Sequence, residues 1–133
     1  MVGLLSLTDL GWSEQYASQV VEDRDLKLQP ARVVAVHKGA CDVSNGERVR
    51  PAKMTGRLRH HAKSRSDYPT VGDWVLVKDF SIGEFGRVER VLERSSVLRR
   101  KSAGRTSHEQ LIAANLDRVF IVQGVGAGFS LKR

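Results

Sequence analysis

The spacing of apolar positions changes along the chain, and the changes divide it into regions. Over residues 4–25 apolar side chains recur at helical intervals, with Trp12, Tyr16, Ala17, Val20 and Val21 on one face. The spacing predicts an amphipathic helix, acidic on its outer side, with Ser13 as a cap and Glu14 in the following turn. From Pro30 the period shortens. Arg32-Val33-Val34-Ala35-Val36-His37 is rich in β-branched residues and closes at Lys38-Gly39. Cys41-Asp42-Val43 returns and closes at Ser44-Asn45-Gly46, a strong turn signal. A third strand-like stretch runs from about Arg48 to Leu58, and residues 59–69 are polar, basic and irregular. Val71-Gly72-Asp73 turns into Trp74-Val75-Leu76-Val77, and Gly83 to Gly86 turn into Arg87-Val88-Glu89-Arg90-Val91-Leu92.

Five short strands separated by turn signals predict a small β-barrel. An SH3-like barrel fits the strand count. The long loop and the basic strand faces favour an OB-fold, a Greek-key barrel that often binds oligonucleotides. Residues 96–116 read as a basic linker. After them, Asp117-Arg118-Val119-Phe120-Ile121-Val122 is apolar without alternation. That marks a strand covered on both faces, as in a parallel α/β sheet, and so the first strand of a different domain. Gly124-Val125-Gly126-Ala127-Gly128 follows, but the spacing is not that of a dinucleotide or phosphate loop.

Composition narrows the function. The net charge is +7, from 22 Lys+Arg against 15 Asp+Glu. It is concentrated: Arg48, Arg50, Lys53, Arg57, Arg59, Lys63 and Arg65 follow one another with no acid after Arg48, and Arg94, Arg99, Arg100, Lys101 and Arg105 form a second cluster. Clustered cations are the electrostatic footprint of a polyanion partner. Charged residues make up 28% of the chain, and no apolar run approaches the roughly 18–20 residues of a spanning helix. The start lacks the basic region of a signal peptide. A single cysteine, Cys41, cannot form an internal disulfide. These features lead to the expectation of a cytoplasmic protein without a membrane partner.

The segments "PARVVAVHKGACDV", "GRLRHHAKS", "YPTVGDWVLV", "RVLERSSVLRRKSAG" and "QLIAANLDRVFIV", in that order, resemble the N-terminal part of the bacterial small-subunit-dependent, circularly permuted GTPases of ribosome biogenesis. "RSSVLRRK" followed by "IAANLDRVFIV" is the most specific part. The resemblance implies an OB-fold, then a GTPase domain with permuted motifs, then a small zinc-binding domain. It divides the chain into a helical extension (1–29), the barrel (30–95), the basic linker (96–116) and the opening of a truncated α/β GTPase domain (117–133). No G-x-x-x-x-G-K-[ST], no Asn-Lys-x-Asp and no Cys/His cluster at metal spacing occurs in the chain. GTP, magnesium and zinc are therefore expected of a full-length parent and not of this stretch, which is expected to lack catalytic residues. The implied partners are the small ribosomal subunit, its rRNA and the parent's own GTPase domain. An alternative is a protein-interaction barrel whose basic face meets an acidic partner.

The candidate RNA contacts are Lys38 at the first hairpin tip, then Arg48, Arg50, Lys53, Arg57, Arg59, His60, Lys63 and Arg65, then Arg99, Arg100 and Lys101. Long cationic side chains on one face reach phosphates, which position a nucleic acid without reading its sequence. Tyr68 and Phe80, at strand ends, are the candidates for stacking on bases, whereas Trp74 inside its strand reads as core. Aromatics are only 6% of the chain, so folded RNA suits it better than a bare single strand. His37, Cys41, His60 and His61 match no zinc-ligand spacing.

Overall fold

The computed structural model describes residues 5–20, 25–101 and 109–126. Five strands, β1 (Gln29–His37), β2 (Ala40–Ser44), β3 (Val49–Met54), β4 (Trp74–Lys78) and β5 (Gly86–Val91), close into a barrel in the order β1-β2-β3-β5-β4. The β1–β4 seam is antiparallel, from Gln29 opposite Val77 to Arg32 opposite Trp74. β3 and β5 run parallel, with Ala52 opposite Gly86. This closure is the OB arrangement, and it rules out the SH3-like alternative. The five expected strands are all present, extended or trimmed at their ends.

Alternation explains the barrel interior. Ala31, Val33, Cys41, Val43, Ala52, Val75, Val77 and Val88 point inward and are buried. β4 is buried on both faces, because Trp74 and Leu76 point outward under the N-terminal segment. There they form a second core with Tyr16 and Leu92, covered by Leu7, Leu10, Trp12, Val20 and Leu28. Trp12 meets Trp74 edge-on with ring centroids 4.9 Å apart, and Tyr16 lies 5.8 Å from Trp74.

Three expected elements differ. The long helix is a single turn, α1 (Glu14–Ala17), preceded by a tight turn through Gly11 at φ +96°. Ser13 occupies the cap position, but its side chain makes no capping hydrogen bond. Trp12 and Tyr16 share a face as the spacing required; Val21 lies outside the described residues. Packing on Trp74 holds this segment, and helix propensity contributes little over one turn. Second, the stretch read as a linker carries a hairpin, β6 (Val97–Lys101) with β7 (Glu109–Ala114). It docks on the barrel where the Ala114 amide donates to the Val71 carbonyl at 2.8 Å. Third, residues 117–122 form no strand. Val119, Phe120, Ile121 and Val122 are 57–94% exposed, because no neighbouring strand among the described residues offers them a ladder.

Candidate nucleic-acid interface

The segment between β3 and β4 builds the most cationic edge of the barrel. Residues expected to continue a strand or to be irregular instead form α2 (Gly56–His61). Thr55 caps it: its amide donates to the Val88 carbonyl, and its Oγ1 accepts from the Leu58 amide at 3.3 Å. Leu58 packs against the barrel core, so Arg57, Arg59, His60 and His61 are turned to solvent. His61 Nδ1 donates back to the Arg57 carbonyl at 2.8 Å. A 3-10 turn at Arg65–Asp67 follows, closed by a capping box between Ser64 and Asp67. The Asp67 carboxylate accepts from the Lys63 and Ser64 amides at 2.8 and 2.9 Å. Those hydrogen bonds hold its pKa below the ordinary carboxylate value. The turn therefore displays Lys63 and Arg65 from an ordered backbone.

The candidate cations fall into two groups. Lys38, Arg48, Arg57, Arg59, His60, Lys63 and Arg65 are exposed, and none is in an ion pair among the described residues. Of the rest, all but Lys101 are engaged. Arg50 donates to the Ile82 carbonyl at 3.2 Å and also to that of Gly83. Lys53 sits 3.8 Å over the Phe85 ring. On the hairpin, Arg99 meets Glu109 at 3.3 Å and Arg100 meets Gln110 at 3.1 Å across the strands, while Lys101 is exposed. Of the two stacking candidates, Tyr68 is half-buried and lines a groove beside α2. Phe80 is a correction: it is 3% exposed and completes the barrel core. The preceding Asp79, at φ +57°, turns the chain so that the ring folds back under β4.

Two grooves flank α2. One, of about 870 Å³, lies between the β1–β2 turn, Arg59, the Arg65–Thr70 stretch and the start of β7. The other, of about 760 Å³, is lined by Arg57, His61, Asp25, Glu89 and Glu93 among others, and mixes both charges. Cys41 is buried, and desolvation together with Asp42 and Asp73 pushes its thiol pKa up to about 11. No three His, Cys, Asp or Glu side chains converge on a metal-binding arrangement among the described residues. No helix among them is long and apolar enough to cross a membrane.

No family model matches the chain. Curated proteins do, over nearly its whole length. The chain is 33% identical over 137 residues to the small ribosomal subunit biogenesis GTPase RsgA of Opitutus terrae, a match covering 97% of the chain and 37% of that protein. It is 36% identical over 131 residues to RsgA 2 of Vibrio vulnificus, covering 96% and 33%. It is 37% identical over 131 residues to RsgA of Mesorhizobium japonicum, covering 96% and 34%. By sequence, the chain belongs with the N-terminal part of the small ribosomal subunit biogenesis GTPases. It spans about a third of the length of these relatives. The crystal structure of YjeQ from Thermotoga maritima overlays 68% of the chain and 28% of that protein, at 22% identity and a TM-score of 0.49.

Two residues that hold this biogenesis-GTPase barrel in shape escaped the reading of motifs. Arg94 counted there as part of a basic cluster. It is a clamp: Nε and Nη2 grip both carboxylate oxygens of the fully buried Asp73, each at 2.8 Å. Nη1 donates to the Ser66 carbonyl at 2.6 Å and Nη2 to that of Tyr68 at 3.1 Å. The clamp ties the turn bearing Arg65 to the end of β5. The hydrogen bond to Asp73 also raises the pKa of Arg94. Asn115 is the second. It sits at φ +55°, and Oδ1 accepts from the Ser95 amide at 2.8 Å while Nδ2 donates to the Gly72 carbonyl at 3.1 Å. Its own carbonyl accepts from Arg32 Nη2 at 2.7 Å. Gly72 permits this junction: at φ +92°, a Cβ there would lie 2.0 Å from the Ala114 carbonyl oxygen. The sequence offered only weak signals, an acid in "VGDW" and an Asn after a run of alanines.

Proposed function

We propose that this stretch is the RNA-docking barrel of a small ribosomal subunit biogenesis GTPase, seating its parent on small-subunit rRNA through α2 and the turn that follows. The observation that carries the reading is the row of exposed cations at Arg57, Arg59, Lys63 and Arg65, none in an ion pair among the described residues, with His60 among them and Lys38 at the neighbouring hairpin tip. An arginine already committed to a carboxylate has less to offer a phosphate; these side chains have no such commitment. The relatives, small ribosomal subunit biogenesis GTPases, suggest the small subunit as partner and GTP as the parent's substrate. On this reading the nucleotide chemistry, with GTP, magnesium and any zinc site, lies in the rest of the relatives' length, and residues 117–126 lead into it. The cytoplasm is the compartment this role requires.

Binding of the purified chain to isolated 30S subunits across a salt series tests the proposal. If about five cations meet phosphates, the log–log slope is roughly −3.5 to −4.5. Charge reversal at Arg57 and Lys63 together reduces affinity at least about tenfold. Unchanged binding by that double variant would refute the interface. GTP turnover by the chain alone would refute the division of labour.

A further inference from the structure

The larger groove beside α2 has a composition that phosphate contact alone does not call for. Its walls include half-buried Met54, Tyr68 and Leu111 and buried Pro69. Its rim carries Lys38, Arg59 and Arg65, none in an ion pair among the described residues. The acids nearby are engaged: Asp42 meets His37 at 2.8 Å, and Glu109 meets Arg99 at 3.3 Å. Contact with backbone phosphates calls only for cations and hydrogen-bond donors. A concave apolar wall with an aromatic side chain suits a flat, weakly polar group, and a cationic rim suits an anion attached to that group. At about 870 Å³ the groove falls within the roughly 300–1,000 Å³ of small-ligand pockets.

From this pairing we infer that the groove between the β1–β2 turn, the α2 turn and β7 takes one unstacked RNA base, with its phosphate held by Lys38, Arg59 and Arg65. The inference rests on the docking reading above and adds to it. α2 and its turn position the backbone, and the groove selects for a nucleotide that has left the helix stack. Single-stranded and bulged nucleotides are the ones whose faces are free to stack on aromatic side chains. The Arg94 clamp serves this site as a positioning device, since it holds the carbonyls of Ser66 and Tyr68 at the groove wall.

Two probes test it: a short RNA hairpin with one bulged 2-aminopurine, and the same hairpin with the bulge deleted. The bulged hairpin binds roughly tenfold tighter, the scale of one base stacked on an aromatic side chain, and its fluorescence changes on binding. Tyr68→Ala abolishes the difference and leaves the salt slope unaltered. Val36→Trp, from a position 48% exposed at the groove edge, fills the space without changing charge and does the same. Equal, salt-sensitive binding of both hairpins overturns the base site and leaves the docking interface standing. An equal loss on both hairpins for both variants also overturns it, because the groove would then be only structural. Failure of both hairpins to bind at any salt overturns the docking reading and this inference together.

Discussion

The arginines along and just after β5 and the cations around α2 are the same chemistry put to different uses. Arg87 meets Asp79, Arg90 meets Asp25, and Arg94 grips Asp73. Elsewhere on the barrel, Arg57, Arg59, Lys63 and Arg65 face solvent and are in no ion pair among the described residues. The difference lies in what burial demands. Asp73 has no exposed surface, so its charge must be matched inside the fold, and Arg94 is the group that matches it. On α2, Leu58 alone packs against the core, so the other side chains face solvent. A count of positive residues adds both groups together; only one of them is free to form the proposed interface.

Breaking the clamp is the strongest challenge to that contrast. Arg94→Ala leaves the Asp73 carboxylate buried with the Thr70 amide as its remaining hydrogen-bond donor. Stability falls by about 3–5 kcal/mol in urea unfolding, as for other buried pairs that lose one partner. Arg57→Gln changes stability by less than about 0.5 kcal/mol. Similar losses for the two would erase the distinction. Next in size is Asn115→Ala, which strands the Ser95 amide, leaves the Gly72 carbonyl with Arg32 Nε as its donor, and costs about 2 kcal/mol. Asn115→Gly keeps the backbone geometry and loses only the hydrogen bonds, so it must fall between Ala and wild type.

The free cations yield a functional effect. Each of Arg57→Gln and Lys63→Gln flattens the salt dependence of 30S binding by roughly one unit of slope, with the melting temperature unmoved. Arg87→Gln, which loses an exposed pair, leaves the slope as it was. The smallest effects concern protons. Asp67 has a lowered pKa in the folded chain, so its turn is held fully above the ordinary carboxylate range near about 4. That contribution is lost as pH falls through the lowered value. Faster exchange of the Lys63 and Ser64 amides only below that range is the expected signature, and an ordinary Asp67 titration would contradict it. The Cys41 thiol, at about 11, resists alkylation at neutral pH until the barrel unfolds.

Much of the barrel was legible because its signals are local. Val33, Val43, Val75 and Val88 sit on strands bounded by Gly39, Gly46 and Gly83, and alternation alone assigns them to the interior. The candidate interface was legible as charge but not as shape. Thr55 as a cap and Leu58 as an anchor turned an expected strand into a helix, and that depended on where β5 lies, since the Thr55 amide donates to Val88. Tyr68 reached a groove, whereas Phe80 was drawn into the core. Nothing in the flanking residues of either distinguishes those fates.

Residue types and their order were enough to specify five short strands, their turns, a cationic segment between the third and fourth, and a kinship with biogenesis GTPases. These properties depend on neighbours a few positions apart, or on the sum of charges. Tertiary structure alone decided which cations are spent inside. Arg94 lies 21 positions from Asp73, and Asn115 lies 43 from Gly72. Such pairs form only when the barrel closes, and closure is what takes their carboxylate and carbonyl groups out of water. The hairpin at Val97–Ala114 follows the same logic. Its strands look like a basic linker until each supplies the other's hydrogen-bond partners and Val71 offers an edge on which to dock.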